Sequence, residues 1–312
     1  MLQTATAFAP ASVGNVGVGF DVLGHSFQAI GDRVTATRIP VFGACPGVRI
    51  VSITGVATDL PLEPEKNTAG MAVLSMVREL QLDFSIELSI EKGIPLGSGL
   101  GGSAASAVAG VVAANALLPK SLSRLELLKF AMKGEAVASG SVHVDNIAPS
   151  LFGGLVLTVG IDNPNVKQIP VPASVRCVLV HPHMMLSTRE ARKILNRSID
   201  LSDVIWQSAH LAGFLTGCFT GDLQLIRESL EDVIIEPQRK VLIPGFQAVK
   251  DAAIRNGALG CSISGAGPTV FAWCEEHNAE SIRASMVAAF AEAKLDSDAW
   301  ISTLDANGAR VI

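Results

Sequence analysis

The chain has no excess of basic residues. Its 312 residues hold 24 Lys and Arg against 29 Asp and Glu, so no surface is set aside for nucleic acid, and a small-molecule partner fits the balance better. Metal-spaced cysteines are also missing. Cys45, Cys177, Cys218, Cys261 and Cys274 are odd in number, scattered, and form no CxxC or CxH pattern, which points to reduced, mostly buried thiols and to the cytoplasm. No Lys or Arg precedes Arg33, and Pro10, Gly14, Asn15 and Gly17 interrupt the apolar N-terminus, so a signal peptide is rejected. Residues 93–119 contain no charge. Their Ala, Gly, Ser and Val, with Asn115 inside, are only weakly apolar and read as a buried helix rather than a membrane span. There is no fixed-period repeat and no low-complexity linker, and the length favours two domains.

Strands are expected at Thr4–Phe8, Arg33–Ile39 and Val48–Ile53 from β-branched content and alternation. A helix follows over Thr68–Leu80 with Asn67 as N-cap. Next come a half-buried strand at Phe84–Ile90 and helices at Ala104–Leu118 and Arg124–Ser139. Phe152–Val159 reads as a strand, and the polar, proline-rich stretch 162–172 as the turn between domains. Beyond it we expect a strand at Arg176–Val180, helices near 188–196, 201–220, 222–232 and Phe246–Asn256, strand, glycine turn and strand over Gly260–Trp273, a helix at Ala279–Ala293 and a last strand. The sum is α+β.

The chemistry concentrates in IPLGSGLGGSAASAVAG, residues 94–110. Consecutive N–H groups of a glycine turn, continued by a helix N-terminus, bind anions without a lysine. GxxxxGK[ST] is absent, so this is not a P-loop, and the GxGxxG at Gly97, Gly99 and Gly102 is weak evidence for a dinucleotide. It follows about the fifth strand rather than the first, and Lys120–Arg124 stands where an acidic ribose partner would be expected. Spacing alone leaves structural turn and phosphate cradle both open. Ser103 at the helix start can cap the helix or ligate Mg²⁺ on a phosphate, and Glu135 can supply the accompanying carboxylate.

PLGSGLGGSAAS resembles the phosphate-binding motif of the GHMP kinases, the superfamily that includes galactokinase, homoserine kinase and mevalonate kinase. FAPASVGNVGVGFDVLG looks like the first motif of that superfamily and ISGAGPTVFA at 263–272 like the third. The resemblance implies an α+β, two-domain GHMP kinase fold. It joins a ribosomal-protein-S5-domain-2-like, ATP-binding domain over 1–160 to a ferredoxin-like α/β domain over 161–312, with the last strand free to return to the first. GSVHVDNIAPSLFGG, TREAR at 188–192 and DVIIEPQRKVLIPGF at 232–246 resemble the homoserine kinase branch. That implies ATP-dependent phosphorylation of the hydroxyl of L-homoserine in threonine biosynthesis, with ATP and Mg²⁺ as cofactors and a homodimer as the assembly. Another small-molecule kinase, for mevalonate or a sugar, and a catalytically inactive metabolite-binding regulator are the alternatives.

The same resemblance assigns roles. Pro95, Leu96, Gly97, Ser98, Gly99, Leu100, Gly101, Gly102, Ser103, Ala104 and Ala105 would wrap the phosphates, Ser103 and Glu135 would hold Mg²⁺, and Asn67 and Lys92 would lie near the adenosine. Homoserine is a zwitterion, so its site needs cations for the carboxylate and an anion for the ammonium. Arg192 and Arg239 would clamp the carboxylate, and Asp21 and Asn15 would face the amino-acid end. His143, Asp145 and Asn146 would line the hydroxyl, with backbone from Gly265. Each has a structural alternative: Arg192 on a solvated helix face, Asp21 capping a turn, His143 as a satisfied structural histidine. Their joint occurrence at matching positions outweighs these. Many relatives have serine where this chain has Gly102, which removes one hydroxyl from the loop. The resemblance implies direct attack without a dedicated base.

Overall fold

In the computed structural model the described residues are 2–139, 142–160, 163–304 and 307–312. A seven-stranded sheet forms from β1 (Thr4–Gly14), β2 (Leu23–Ile39), β3 (Val48–Gly55), β4 (Ser85–Lys92), β5 (Leu155–Val159), β6 (Asn165–Ile169) and β11 (Arg310–Val311). Its spine is β2. The C-terminal half of β2 pairs with β4, its first residues pair with β5, and β1 runs antiparallel along nearly its whole length. On the far side of β1, Val311 lies opposite Ala7. A second sheet, β10 (Ser297–Thr303), β7 (Val175–Pro182), β9 (Val270–Glu275) and β8 (Gly260–Ile263) in that order, is antiparallel throughout.

Four helices belong to the first sheet: α1 (Thr68–Glu79), α2 (Gly102–Asn115), α3 (Arg124–Ser139) and α4 (Val144–Phe152). The charge-free stretch 93–119 supplies α2, buried from Ala104 to Ala114 but for Val112. Small side chains make this burial possible: a Cβ on Gly110 would sit 3.3 Å from Val73 Cγ2, so α1 and α2 approach closely. Among the described residues no helix is long and apolar enough to cross a membrane. The remaining helices are α5 (Thr188–Lys193), α6 (Leu201–Thr220), α7 (Leu223–Ser229), α8 (Glu236–Arg239), α9 (Phe246–Arg255) and α10 (Ala279–Glu292).

Besides β2, which opens at Leu23 rather than at Arg33, three stretches depart from the expected pattern. β1 continues past Phe8 to Gly14, because the missing N–H of Pro10 is accommodated by a register shift between Pro10 and Ala11. Residues 144–152 form α4 although Pro149 lies inside it, so the strand expected from Phe152 starts only at Leu155. The Asp145 carbonyl, which a proline at 149 cannot serve, lies against β2, where a Cβ on Gly24 would stand 1.8 Å from it. Third, residues 165–169, expected as part of a turn, pair with β5 as strand β6. The chain therefore passes to the second sheet between Ile169 and Val175. Residues 161 and 162, at the start of the expected second domain and turn, lie outside the described residues, as do Gly140 and Ser141 of GSVHVDN.

The second sheet buries both faces, as period-2 alternation requires. Val178, Val180, Val270 and Ala272 meet α9 and α10 through Phe246, Val249, Ile282 and Phe290. Cys177, Leu179, Phe271 and Trp273 turn the other way and join the core of the first sheet with Leu23 and Phe27. One polar contact crosses that core: the Trp273 indole N–H donates to His25 Nε2 at 3.2 Å, which leaves the proton on Nδ1, 3.0 Å from the Ser26 carbonyl. Burial lowers the His25 pKa to about 4. An unfolded histidine takes its proton near 6.5, so the unfolded state binds more protons between these values and stability falls as the pH drops from 6.5 to 4. The shift corresponds to about 3 kcal/mol. His25→Asn is expected to lose less stability than the wild type between pH 7 and pH 4.5 in urea unfolding; parallel losses would refute this role.

Candidate active site

The glycine loop lies between β4 and α2, with Gly97, Gly99 and Gly101 all at positive φ. Protein donors hold its carbonyls from behind. Gly97 O accepts from Leu186 N, Ser98 O from Thr269 N and Oγ1, Gly99 O from Ser264 Oγ, and Leu100 O from Ser12 N. In a trans peptide the N–H points opposite to the carbonyl, so the amides of residues 98–101 turn away from these anchors. Gly99 has to be glycine, because a Cβ there would stand 2.5 Å from Ser264 O and 2.7 Å from Gly267 O. The loop therefore seats directly on the 263–272 turn. α2 opens from Gly101 with no side-chain cap, leaving its first N–H groups for an anion. Ser103 does not cap the helix; its hydroxyl donates to Glu135 Oε1 at 2.8 Å.

Around this loop lies an open cleft. It gathers residues 95–99 and 101–103, Glu135, His143, Asp145, Asn146, Asn15, Asp21, Arg192, Arg239 and Gly265. Leu100, Ala104 and Ala105 are buried beneath the loop. Asn67 and Lys92 do not line the cleft. The Asn67 side chain caps α1, accepting from Ala69 N and Gly70 N, and Lys92 is buried in a network with Asp32, Ser106 Oγ and Gly102 O. Pattern reading passed over Phe20, Leu186, Thr188 and Ala266, which also line the cleft; apolar and small residues carry no chemical signature of a site.

At one end the Arg192 guanidinium makes a two-pronged contact with Asp21, at 3.0 and 2.7 Å. Asp21 itself has φ +61°, and its N–H donates to Asn15 Oδ1. The Asn15 amide in turn donates to Gly265 O, which Arg239 Nη1 also reaches at 3.0 Å. Arg239 is buried, and burial together with the charge of Arg192 lowers its pKa to about 10; it remains charged at neutral pH.

At the N-terminus of α4, Asn146 Oδ1 accepts from Ser12 Oγ at 3.0 Å, so one serine ties α4 to the glycine loop. His143 Nδ1 lies 3.4 Å from Glu135 Oε1. Burial opposes a charge on His143, but the contact with Glu135 and the carboxylates of Glu135 and Asp145 raise its pKa overall. Two buried oxygens, Glu135 Oε2 and Asp145 Oδ1, have no protein partner. Burial, then the charge of Asp21, raises the Asp145 pKa to about 6.

A glycine loop seated on a second glycine turn at the junction of these two sheets defines a GHMP kinase. Residues 67–154 match the GHMP kinases N terminal domain and residues 214–292 the GHMP kinases C terminal domain. The chain is 52% identical to homoserine kinase of Xylella fastidiosa (strain 9a5c), over 99% of this chain and 94% of that one. It is 44% identical to homoserine kinase of Chlorobium phaeobacteroides (strain BS1) over the whole of both. The crystal structure of homoserine kinase from Cytophaga hutchinsonii superposes with a TM-score of 0.95 at 44% identity, covering 100% of this chain and 98% of that chain. The chain belongs to the homoserine kinase family. Mevalonate kinase of L. major, with a TM-score of 0.69 and 15% identity, shares the fold alone.

An Asp145 pKa raised from its ordinary value to about 6 means that the folded state favours the protonated form. The cost is absent below pH 4, grows between pH 4 and 6, and is complete above; the shift corresponds to about 3 kcal/mol. Asp145→Asn is expected to melt at a higher temperature than wild type at pH 8 and to converge with it near pH 4. An equal or lower melting temperature at pH 8 would sink this account.

Proposed function

We propose that the cleft transfers the γ-phosphoryl group of ATP to the hydroxyl of L-homoserine, a step of threonine biosynthesis in the cytoplasm. The observation that carries this reading is an anion cradle facing paired opposite charges. The carboxylate of a zwitterion would take Arg192 and Arg239 and its ammonium would take Asp21, so the ion pair of the unliganded protein is exchanged for two matched pairs. The hydroxyl then falls toward α4. Asn146, whose side-chain orientation is set by Ser12, would direct it at the phosphorus.

Phosphoryl transfer passes through a loose transition state, so positioning and charge neutralisation matter more than early deprotonation. The hydroxyl attacks the γ-phosphorus directly, the bond to the β-phosphate oxygen breaks, and the proton leaves late. Glu135 and Ser103 would hold Mg²⁺. The unpartnered Glu135 Oε2 fits that task, and among the described residues no three His, Cys, Asp or Glu could hold a metal by themselves, as suits an ion that keeps phosphate oxygens and waters. When bound, Mg²⁺ neutralises charge on the β- and γ-phosphates. Asp145 supports a second account of the proton: a buried carboxyl with a pKa of about 6 and an unpartnered oxygen is poised as a general base.

ADP release assayed with homoserine, mevalonate and galactose is expected to occur with homoserine; turnover of mevalonate alone would overturn the substrate. Glu135→Ala should lower Mg²⁺-dependent turnover by at least a hundredfold while homoserine still binds by calorimetry, and retained turnover would remove the metal assignment. Asn146→Ala should cost at least tenfold in kcat. A rate that falls with protonation near pH 6 and loses that limb in Asp145→Asn would favour the base over direct attack. For assembly we propose a homodimer, with the exposed apolar residues Leu201, Ile205, Trp206 and Phe219 of α6 as the candidate face. A single monomeric species in sedimentation velocity at micromolar concentration would exclude it.

A further inference from the structure

We propose that Phe20 makes the two arginines of the cleft a reader of carboxylates, and so sets the preference for an alcohol that bears one. The inference rests on the reading of Arg192 and Arg239 as the carboxylate clamp. Two guanidinium groups brought to one end of a cleft repel each other, and this pair has unequal help. Arg192 meets Asp21. Arg239 makes no ion pair among the described residues: its Nε donates to Ala191 O and its Nη1 to Gly265 O, both neutral acceptors. Burial is the main cause that lowers its pKa, and the charge of Arg192 adds to it.

The half-buried ring of Phe20 lies against both guanidinium groups, 5.5 Å from Arg192 Cζ and 5.1 Å from Arg239 Cζ. Both distances lie within the range over which the negative face of an aromatic ring attracts a cation. The backbone beside the ring is also held. Phe20 sits in the turn between β1 and β2, the next residue has positive φ, and its N–H is bonded to Asn15 Oδ1. Aliphatic bulk at this position would fill the space but offer no electrostatic counterpart to either arginine. Phe20 is therefore a positioning residue. It keeps two like charges near each other and directed into the cleft before any substrate carboxylate arrives.

The test compares homoserine with 3-aminopropan-1-ol, the same amino alcohol without the carboxylate. Phe20→Leu is expected to lower the kcat/KM preference for homoserine over 3-aminopropan-1-ol by about tenfold, through a higher KM for homoserine, with the KM for ATP within twofold of wild type. Phe20→Tyr, which keeps the ring, should keep the preference. Melting curves show whether each variant is folded. An unchanged preference in folded Phe20→Leu, or an equal loss in Phe20→Leu and Phe20→Tyr, would overturn the inference. Arg192→Ala separates it from the reading beneath it: if that variant collapses the preference while Phe20→Leu does not, the clamp stands and Phe20 has no part in it. If Arg192→Ala also leaves the preference intact, the clamp reading itself fails.

Discussion

The glycine loop can present its amides to the cleft only because its carbonyls are held from behind. Four successive carbonyls, from Gly97 to Leu100, are bonded by donors from β1, from the stretch before α5 and from the turn between β8 and β9. None of those donors lies in the loop, so the cradle has no shape of its own outside the folded pair of domains. The two glycine turns touch, and the carbonyls of Ser264 and Gly267 leave no room for a side chain on Gly99 at the contact. Every other feature of the site is measured from that seat: Ser12 reaches from the loop anchor to Asn146, and Gly265 carries both Asn15 and Arg239.

The electrostatics follow from the same compactness. A cleft that binds a zwitterion beside a polyphosphate must hold groups of both signs at short range, and several are nearly dry. Glu135 and Asp145 are buried with an oxygen apiece lacking a protein partner. Buried groups without a protein partner cost stability, in line with a general trade between stability and activity. The contrast with Lys92 is instructive. It is equally buried, but Asp32, Ser106 and the Gly102 carbonyl satisfy it completely, and such a self-sufficient network holds a helix in place rather than greeting a substrate.

Where side-chain chemistry and spacing coincided, the site could be read from residues alone. Ser103 and Glu135 are close enough for the Ser103 hydroxyl to donate to Glu135 at 2.8 Å, and the charge-free run after the loop is the buried helix that its small residues imply. Reading failed where a local signal and tertiary context disagreed. No helix is expected over 144–152, yet α4 forms there with Pro149 inside it, and the carbonyl that Pro149 cannot serve lies against Gly24. Residues 165–169 read as a turn among prolines and asparagines, yet β5 offers an edge and the segment pairs with it. Asn67 and Lys92 are placed near the adenosine by family resemblance alone, and in the fold the Asn67 side chain caps α1 while the Lys92 ammonium bonds Gly102 O. Phe20 went unnoticed because a phenyl ring between glycine and aspartate reads as core; its neighbours are two arginines separated from it by some 170 and 220 residues.

The pairing of Ala7 with Val311 ties one strand to residues made some three hundred positions later in synthesis. Until those residues emerge, that edge of β1 offers unpaired N–H and C=O groups to any passing strand. In a nascent chain this open edge lies on the strand that also carries Ser12 to Asn146. The short strand at 310–311 acts as a clasp: its two residues cover the edge of β1 at Ala7 and Phe8.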